Sequence, residues 1–216
     1  MRIGILAEGP SDVAVITNII KGVTGLETND IIAIQPKLQF DNTHLAHLDP
    51  DSHSTWSLVK NECIEQKKIN SFFKLADSKY FAIHLDTAEA ELYGVERPKT
   101  NDENYCSLLR ETVINKINEW LDGKYQKEVL YAIAIQETDA WILTLHEKSE
   151  SCLISDPKKE LKKKFQKLKY KYEAGYKPYL IFSDDFKYSS KIRRLKCREY
   201  NCSLNDFYIQ LEALIK

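Results

Sequence analysis

The sequence predicts an α/β fold with a mostly parallel four-stranded sheet flanked by helices. Two observations predict it. Short runs that are apolar throughout recur along the first 146 residues, and each is followed by a segment with helical spacing. Continuous apolar runs are typical of parallel strands buried on both faces, which need helical crossovers. The pattern changes after residue 150, so we expect an α/β core over residues 1–150 and a small lysine-rich helical extension over 151–216, packed on that core.

The predicted elements alternate along the chain. Apolar runs predict strands over 3–7, 30–38, 80–85 and 129–135. Apolar residues at helical spacing predict helices over 11–21, 54–67, 103–121 and 138–146, and Gly22 is expected to end the first of them. In the extension, Asp156 is expected to cap a helix that begins at Pro157, and two further helices are predicted over 185–196 and 203–215.

The bulk composition excludes several classes of protein. Lys plus Arg (31) nearly balances Asp plus Glu (32), so any contact with nucleic acid must be local. No run of about 18 apolar residues exists, so we expect a cytoplasmic protein without a membrane partner. The five cysteines are scattered, which suits a reducing compartment. Cys197 and Cys202 have no second metal-binding pair nearby in sequence, which favours two unrelated thiols over a zinc site.

Three carboxylates stand directly after predicted strands. Glu8, Asp86 and Glu137 follow the first, third and fourth strands, whose carboxyl ends share one edge of a parallel sheet. Such neighbours repel one another unless a divalent cation with oxygen ligands lies between them. Asp12, four residues after Glu8, joins this predicted metal site from the first helical turn. The alternative is that each acid merely caps a helix or lies in a solvated turn, and Asp12 fits that role equally well.

The sequence motifs around these acids resemble a known family. ILAEGPSDVAVI resembles the first motif of the Toprim domain of topoisomerases, primases and overcoming-lysogenization-defect (OLD) nucleases, in which a strand ends in Glu-Gly. The second Toprim motif ends a strand in Asp-x-Asp, and HLDTAEAE supplies Asp86 but has Ala88 at the second position. The later block ETDAW resembles one in small bacterial Toprim-like proteins, and the resemblance covers roughly residues 1–146.

The resemblance implies a Toprim/Rossmann-like fold and Mg²⁺-dependent (or Mn²⁺-dependent) cleavage of phosphodiester bonds. Asp86 and Glu137 would hold the metal, and Glu8 would bind it too or act as general base. The implied substrate is nucleic acid, DNA rather than RNA, in bacterial or phage defence. A separate ATPase subunit is an implied partner, and we also allow for a homodimer.

The alanine at position 88 leaves alternatives open. Glu89, Glu91 or Glu137 could replace the missing aspartate. Without a replacement, the protein would be a degenerate, non-catalytic Toprim-like module that binds nucleic acid or a partner protein. A third alternative is a phosphatase that acts on small molecules.

Basic residues in the extension are candidates for phosphate contacts. The candidates are Lys162, Lys163, Lys167, Arg193 and Arg194, and the tyrosines at 170, 172 and 176 could stack on bases. Lys191, in SSKIRRLK, is the candidate catalytic cation. Solvated helix faces explain the same residues equally well.

The remaining signals favour structural roles. His84 lies two residues before Asp86, and we expect a hydrogen-bonded core histidine there. A loop that holds three histidines, at 44, 47 and 53, is expected to be merely polar, with a transition-metal site as the alternative. Trp56, Trp120 and Trp141 are expected in the core.

Overall fold

The fold was analysed in a computed structural model, which describes residues 1–37, 55–99, 104–169 and 171–216. Its centre is a four-stranded, all-parallel sheet with strand order β2-β1-β3-β4. The strands are β1 (Arg2–Leu6), β2 (Ile31–Gln35), β3 (Ser78–Asp86) and β4 (Val129–Ala134). This arrangement confirms the predicted α/β class and is consistent with a Rossmann-like fold.

Helices cover both faces of the sheet. In chain order they are α1 (Pro10–Thr24), α2 (Thr55–Glu65), α3 (Lys67–Phe73), α4 (Tyr105–Trp120), α5 (Asp139–Leu143), α6 (Pro157–Lys167), α7 (Tyr176–Phe182), α8 (Ser189–Leu195) and α9 (Cys202–Ala213). Asp156 caps α6 as predicted, because its side chain accepts a hydrogen bond from the backbone N–H of Lys159. None of the helices in the described ranges is long and apolar enough to cross a bilayer.

The sheet separates two hydrophobic cores. Ile3 and Ile5 point to one face, where they join a cluster formed with α1 and the helices of residues 151–216. Phe81 and Leu85 point to the other face, which α2, α3 and α4 cover. Because Phe207 of α9 is buried in the same cluster as Ile5, the extension shares a core with the sheet. The boundary near residue 150 stays a prediction.

Tertiary packing overrode the predicted end of the first helix. Gly22 lies inside α1, and a Cβ there would be 2.0 Å from the carbonyl oxygen of Phe186, so glycine permits a close approach. The helix ends instead at Gly25, whose φ of 71° is the left-handed conformation that favours glycine. Helices α3 and α7 were not predicted.

The predictions for the three tryptophans are confirmed, since Trp56, Trp120 and Trp141 are all buried. The histidine-containing loop lies outside the described residues.

Candidate functional site at the acidic edge of the sheet

Glu8 and Asp86 meet where β1 and β3 end side by side. Glu8 follows β1, and its Oε1 accepts a hydrogen bond of 2.6 Å from the backbone N–H of Asp86, the last residue of β3. The Oδ1 atom of Asp86 accepts a hydrogen bond of 3.0 Å from the backbone N–H of Ala88. These bonds fix both carboxylates at the carboxyl edge of the sheet. We call this region, with Asp12 and Glu137, the acidic edge.

Asp12 both caps a helix and reaches toward β4. Its Oδ2 accepts a hydrogen bond of 3.0 Å from the backbone N–H of Gly9, which completes a capping box at the start of α1. Its Oδ1 accepts a hydrogen bond of 2.7 Å from the hydroxyl of Thr138. The capping role and the location at the acidic edge are therefore compatible.

A buried histidine supports Asp12 through Thr138. The Nε2 of His84 lies 2.9 Å from the Thr138 hydroxyl, and His84 is fully buried. Because Thr138 donates its proton to Asp12, His84 must donate from Nε2, which assigns its neutral tautomer. Burial lowers the pKa of His84, in agreement with a neutral ring. The prediction of a hydrogen-bonded core histidine is confirmed, and the chain His84–Thr138–Asp12 links the core to the acidic edge.

Glu137 lies at the start of α6. Its Oε2 accepts a hydrogen bond of 3.1 Å from the backbone N–H of Lys158, in the first turn of that helix. A helix N-terminus stabilises a carboxylate through its free N–H groups and its dipole. Glu137 therefore joins the acidic edge to the lysine-rich helix.

Asp139 points away from the acidic edge. Its Oδ1 accepts hydrogen bonds from the hydroxyls of Tyr172, at 3.1 Å, and Tyr179, at 2.9 Å. Burial raises the pKa of Asp139 to about 6, although these hydrogen bonds oppose the shift. Tyr172 is thus engaged inside the protein and is not free to stack on a base. Tyr170 lies outside the described residues.

Asp86 has the most strongly raised pKa of the carboxyl groups at this edge. Burial, followed by the charges of Asp12, Glu137 and Glu89, raises the pKa of Asp86 to about 8, and the Ala88 hydrogen bond opposes the shift. Negative charge is therefore concentrated around one partly exposed carboxyl group. A cation at this position would remove the repulsion.

The carboxylates of the acidic edge are less closely grouped than the shared metal site that the sequence predicts. The carboxylate oxygens of the acidic edge do not form a set of three that lie within 4.8 Å of one another; within the described part of the chain, only three cysteines meet that condition. Mg²⁺ usually binds through one or two carboxylates and retains several waters. Direct ligation by Asp86, with other acids acting through water, is compatible with these positions.

The two glutamates that could replace the missing aspartate differ in their surroundings. Glu89 is exposed, and its charge contributes to the raised pKa of Asp86. Glu91 forms an ion pair with Arg97, whose guanidinium also donates to the carbonyl of Thr87 at 2.6 Å. Glu89 therefore remains a possible ligand, whereas Glu91 and Arg97 hold the loop that follows β3.

The structure does not bring Lys191 to the acidic edge. Ser189, on the same short helix, donates a 2.6 Å hydrogen bond to the carbonyl of Gly22. Gly22 is about 15 Å along α1 from Asp12, at 1.5 Å per residue. Lys191 itself pairs with Asp185 at 2.5 Å. We therefore do not include Lys191 in the candidate site.

The candidate phosphate contacts are divided between two helices. Three exposed lysines lie on α6, whose first turn is hydrogen-bonded to Glu137: Lys162, Lys163 and Lys167. Lys163 forms an ion pair with Glu160 at 2.7 Å. Arg193 is exposed on α8, which lies beside the C-terminal end of α1. The side chain of Arg194 is not among those that the structure describes. Only the lysines of α6 belong to a helix that starts at the acidic edge.

Sequence reasoning missed two residues that shape this edge, namely Thr138 and Arg97. Thr138 follows Glu137 directly, so its position after β4 was a usable signal. Nothing in the local sequence marks Arg97, which reaches back across a loop. The backbone N–H of Lys158 bonds Glu137, and the charge of its side chain lowers the pKa of Asp139.

Comparisons with protein-family models, with curated proteins and with solved structures found no match to this chain. The Toprim resemblance therefore depends on the motifs of the chain itself.

Proposed function

We propose that the protein is a Mg²⁺- or Mn²⁺-dependent nuclease of Toprim-like type, with its site at the acidic edge. The observation that supports this most is the crowding of negative charge around Asp86, whose pKa is raised to about 8. A protein gains no stability from such repulsion. The arrangement is typical of a site that binds a cation.

Asp86 would hold the cation directly, and Glu137 and Asp12 would act through water. When bound, the cation would stabilise negative charge on a phosphodiester and lower the pKa of a water molecule. Glu8 would join as a ligand or accept a proton from the attacking water. Its hydrogen bond to the backbone of Asp86 orients it toward the end of β3 for either task.

The lysines of α6 would bind the nucleic acid backbone. The first turn of this helix is hydrogen-bonded to Glu137, and the helix exposes Lys162, Lys163 and Lys167 to solvent, so a strand on these lysines would pass close to the acidic edge. From the Toprim resemblance we further propose DNA rather than RNA as substrate, a cytoplasmic location, a role in phage defence and a separate ATPase subunit. Arg193, Arg194 and a homodimer remain secondary elements of the proposal.

Ala88 supports a second candidate function. An exposed alanine at the position of the second Toprim aspartate removes one carboxylate from the motif, and only its backbone N–H contacts Asp86. A protein that kept the fold but lost cleavage would be a module that binds nucleic acid or a partner protein.

A cleavage assay separates these functions. We would incubate the full chain with plasmid, single-stranded DNA and RNA in Mg²⁺, Mn²⁺ or EDTA. The comparison includes Glu8→Gln, Asp86→Asn and a matched control, Glu119→Gln. Glu119 is an exposed glutamate near the last residue of α4 that pairs with Lys116.

We expect metal-dependent cutting that falls at least about 100-fold in both site variants, since each removes charge stabilisation worth a few kcal/mol. The control should retain wild-type activity. Binding without cutting in every metal would favour the non-catalytic module. Turnover of nucleotides but not polymers would favour a phosphatase, and metal-independent cutting would refute the proposal.

A further inference from the structure

Three cysteines that are distant in sequence converge in the fold. The Sγ atoms of Cys106, Cys152 and Cys202 all lie within 4.8 Å of one another, and those of Cys152 and Cys202 are 3.1 Å apart. Cys152 is buried and the other two are half-buried, so the group lies at the boundary between core and solvent. We call these three residues the cysteine cluster.

Each member of the cluster comes from a different part of the fold. Cys106 lies in the first turn of α4, Cys152 lies between α5 and α6, and Cys202 is the first residue of α9. Helix α9 runs along the outer strand β4, where the side chain of Gln210 bonds both the N–H and the carbonyl of Tyr131. A ligand on all three sulfurs would tie α4, α9 and the intervening segment together.

The surroundings of the cysteine cluster suit negative charge on its sulfurs. Cys202 is the first residue of α9, and a helix N-terminus favours negative charge nearby. The guanidinium of Arg110 lies within electrostatic reach of Cys202 and forms an ion pair with Asp206 at 3.5 Å. Negative charge on the sulfurs therefore has a cationic neighbour.

We propose that the cysteine cluster binds one zinc ion through the sulfurs of Cys106, Cys152 and Cys202. Thiolates select soft or borderline cations such as Zn²⁺ over Mg²⁺. Zn–S bonds of about 2.3 Å in a tetrahedron put sulfurs about 3.8 Å apart. The cluster thus needs to open by less than about 1 Å at its closest pair.

Binding would release one proton from each thiol and leave three thiolates on the metal. The fourth position would be taken by water or by the carboxylate of Glu150. Glu150 already accepts a 2.8 Å hydrogen bond from the backbone N–H of Cys152, and its charge acts on Cys106. The site is distinct from the acidic edge and does not depend on the proposed nuclease function.

Metal titration of the reduced full chain tests the site. We would measure Zn²⁺ stoichiometry by competition with a chromogenic chelator and record the absorption of the Co²⁺-substituted protein. Serine replaces each cluster cysteine in turn, and Cys197→Ser is the matched control. Cys197 is also buried, but its thiol donates instead to the carbonyl of Thr144.

We expect one Zn²⁺ per chain and sulfur-to-cobalt charge-transfer absorption with the bands of tetrahedral Co²⁺. Each cluster variant should bind at least about tenfold more weakly, and the control should bind like the wild type. Zn²⁺ should also raise the melting temperature of the wild-type chain, because metal that binds only the folded state stabilises it.

Two results would overturn the proposal. One is Zn²⁺ binding that is equally strong in the three cluster variants. The other is the absence of thiolate absorption with Co²⁺ in a fully reduced chain, especially if peptide mapping of oxidised protein finds a Cys152–Cys202 disulfide. The cluster would then be a redox pair rather than a metal site.

Discussion

The acidic edge and the cysteine cluster gather ligand atoms in opposite ways. The acidic edge consists of carboxylates that follow β1, β3 and β4, and each acid is held by a nearby backbone or hydroxyl group. The cysteine cluster consists of three thiols whose closest polar neighbours include one another. The acidic edge offers hard oxygen donors that are partly solvated. The cysteine cluster offers soft sulfur donors that are closely spaced.

On the two proposals, donor chemistry and spacing would select different cations within one small protein. Oxygen donors that are not closely grouped suit Mg²⁺, which keeps its own waters. Three sulfurs within 4.8 Å suit Zn²⁺, which gives up its waters more readily to thiolates. The two sites should therefore respond to different metals and to different substitutions.

The largest predicted effect on stability comes from removing the hydrogen bonds of Thr138, which connect the acidic edge to the core. Thr138→Val removes the hydroxyl between His84 and Asp12 and leaves a buried ring nitrogen without its partner. We expect a loss of roughly 1–3 kcal/mol in the free energy of unfolding, measured by urea denaturation. Zinc binding at the cysteine cluster should not change.

Thr112→Val serves as the control for this change. Thr112 is half-buried on α4, and its hydroxyl bonds only the carbonyl of Leu108 among the described residues. Its substitution should alter stability by less than about 0.5 kcal/mol. Equal losses in the two valine variants would refute the importance of the histidine–threonine link.

A second predicted effect on stability depends on pH. The folded pKa of Asp86 is about 8, above its ordinary value of 3.8, so between these values the folded state holds a proton that the unfolded state has released. Stability of the metal-free protein therefore falls as pH rises through this range, and the full penalty is present above pH 8. Asp86→Asn removes the penalty.

We expect Asp86→Asn to raise the free energy of unfolding of the metal-free protein at pH 8.5 and to change it little at pH 4. Thermal melts in EDTA across this range measure the difference. A stability gain that is independent of pH would contradict the assignment of the raised pKa to Asp86. Glu119→Gln should follow the wild-type pH dependence.

The smallest predicted effect is a difference in cleavage rate between substitutions of two lysines. Lys158 donates its backbone N–H to Glu137 of the acidic edge, whereas Lys191 pairs with Asp185 near the far end of α1. Lys158→Ala should reduce cleavage by about threefold to tenfold through a lost phosphate contact. Lys191→Ala should change the rate by less than about twofold, since exposed ion pairs contribute little.

Cleavage rates at two salt concentrations measure this contrast. A larger loss in Lys191→Ala than in Lys158→Ala would show that α8 contributes to the site after all. Neither lysine substitution should alter zinc binding.

Much of the acidic edge was predictable because its signals are local. Glu8 and Asp86 are marked by apolar runs directly before them, and parallel strands must end at one edge. The partners of these acids were not predictable in the same way. Lys158 reaches Glu137 only because α6 folds back to the end of β4, and Lys191 was assigned to the site from its charge alone.

The sequence by itself determined the class of the fold, the order of its four strands and most of its helices along the chain, and the strand ends that carry carboxylates. Continuous apolar runs and helical spacing are properties of neighbouring residues, so they are visible without a structure. Only the tertiary structure decided which distant side chains meet. Cys106, Cys152 and Cys202 come together because packing α4 and α9 near β4 closes long segments of chain, and that contact leaves no trace in any short stretch of sequence.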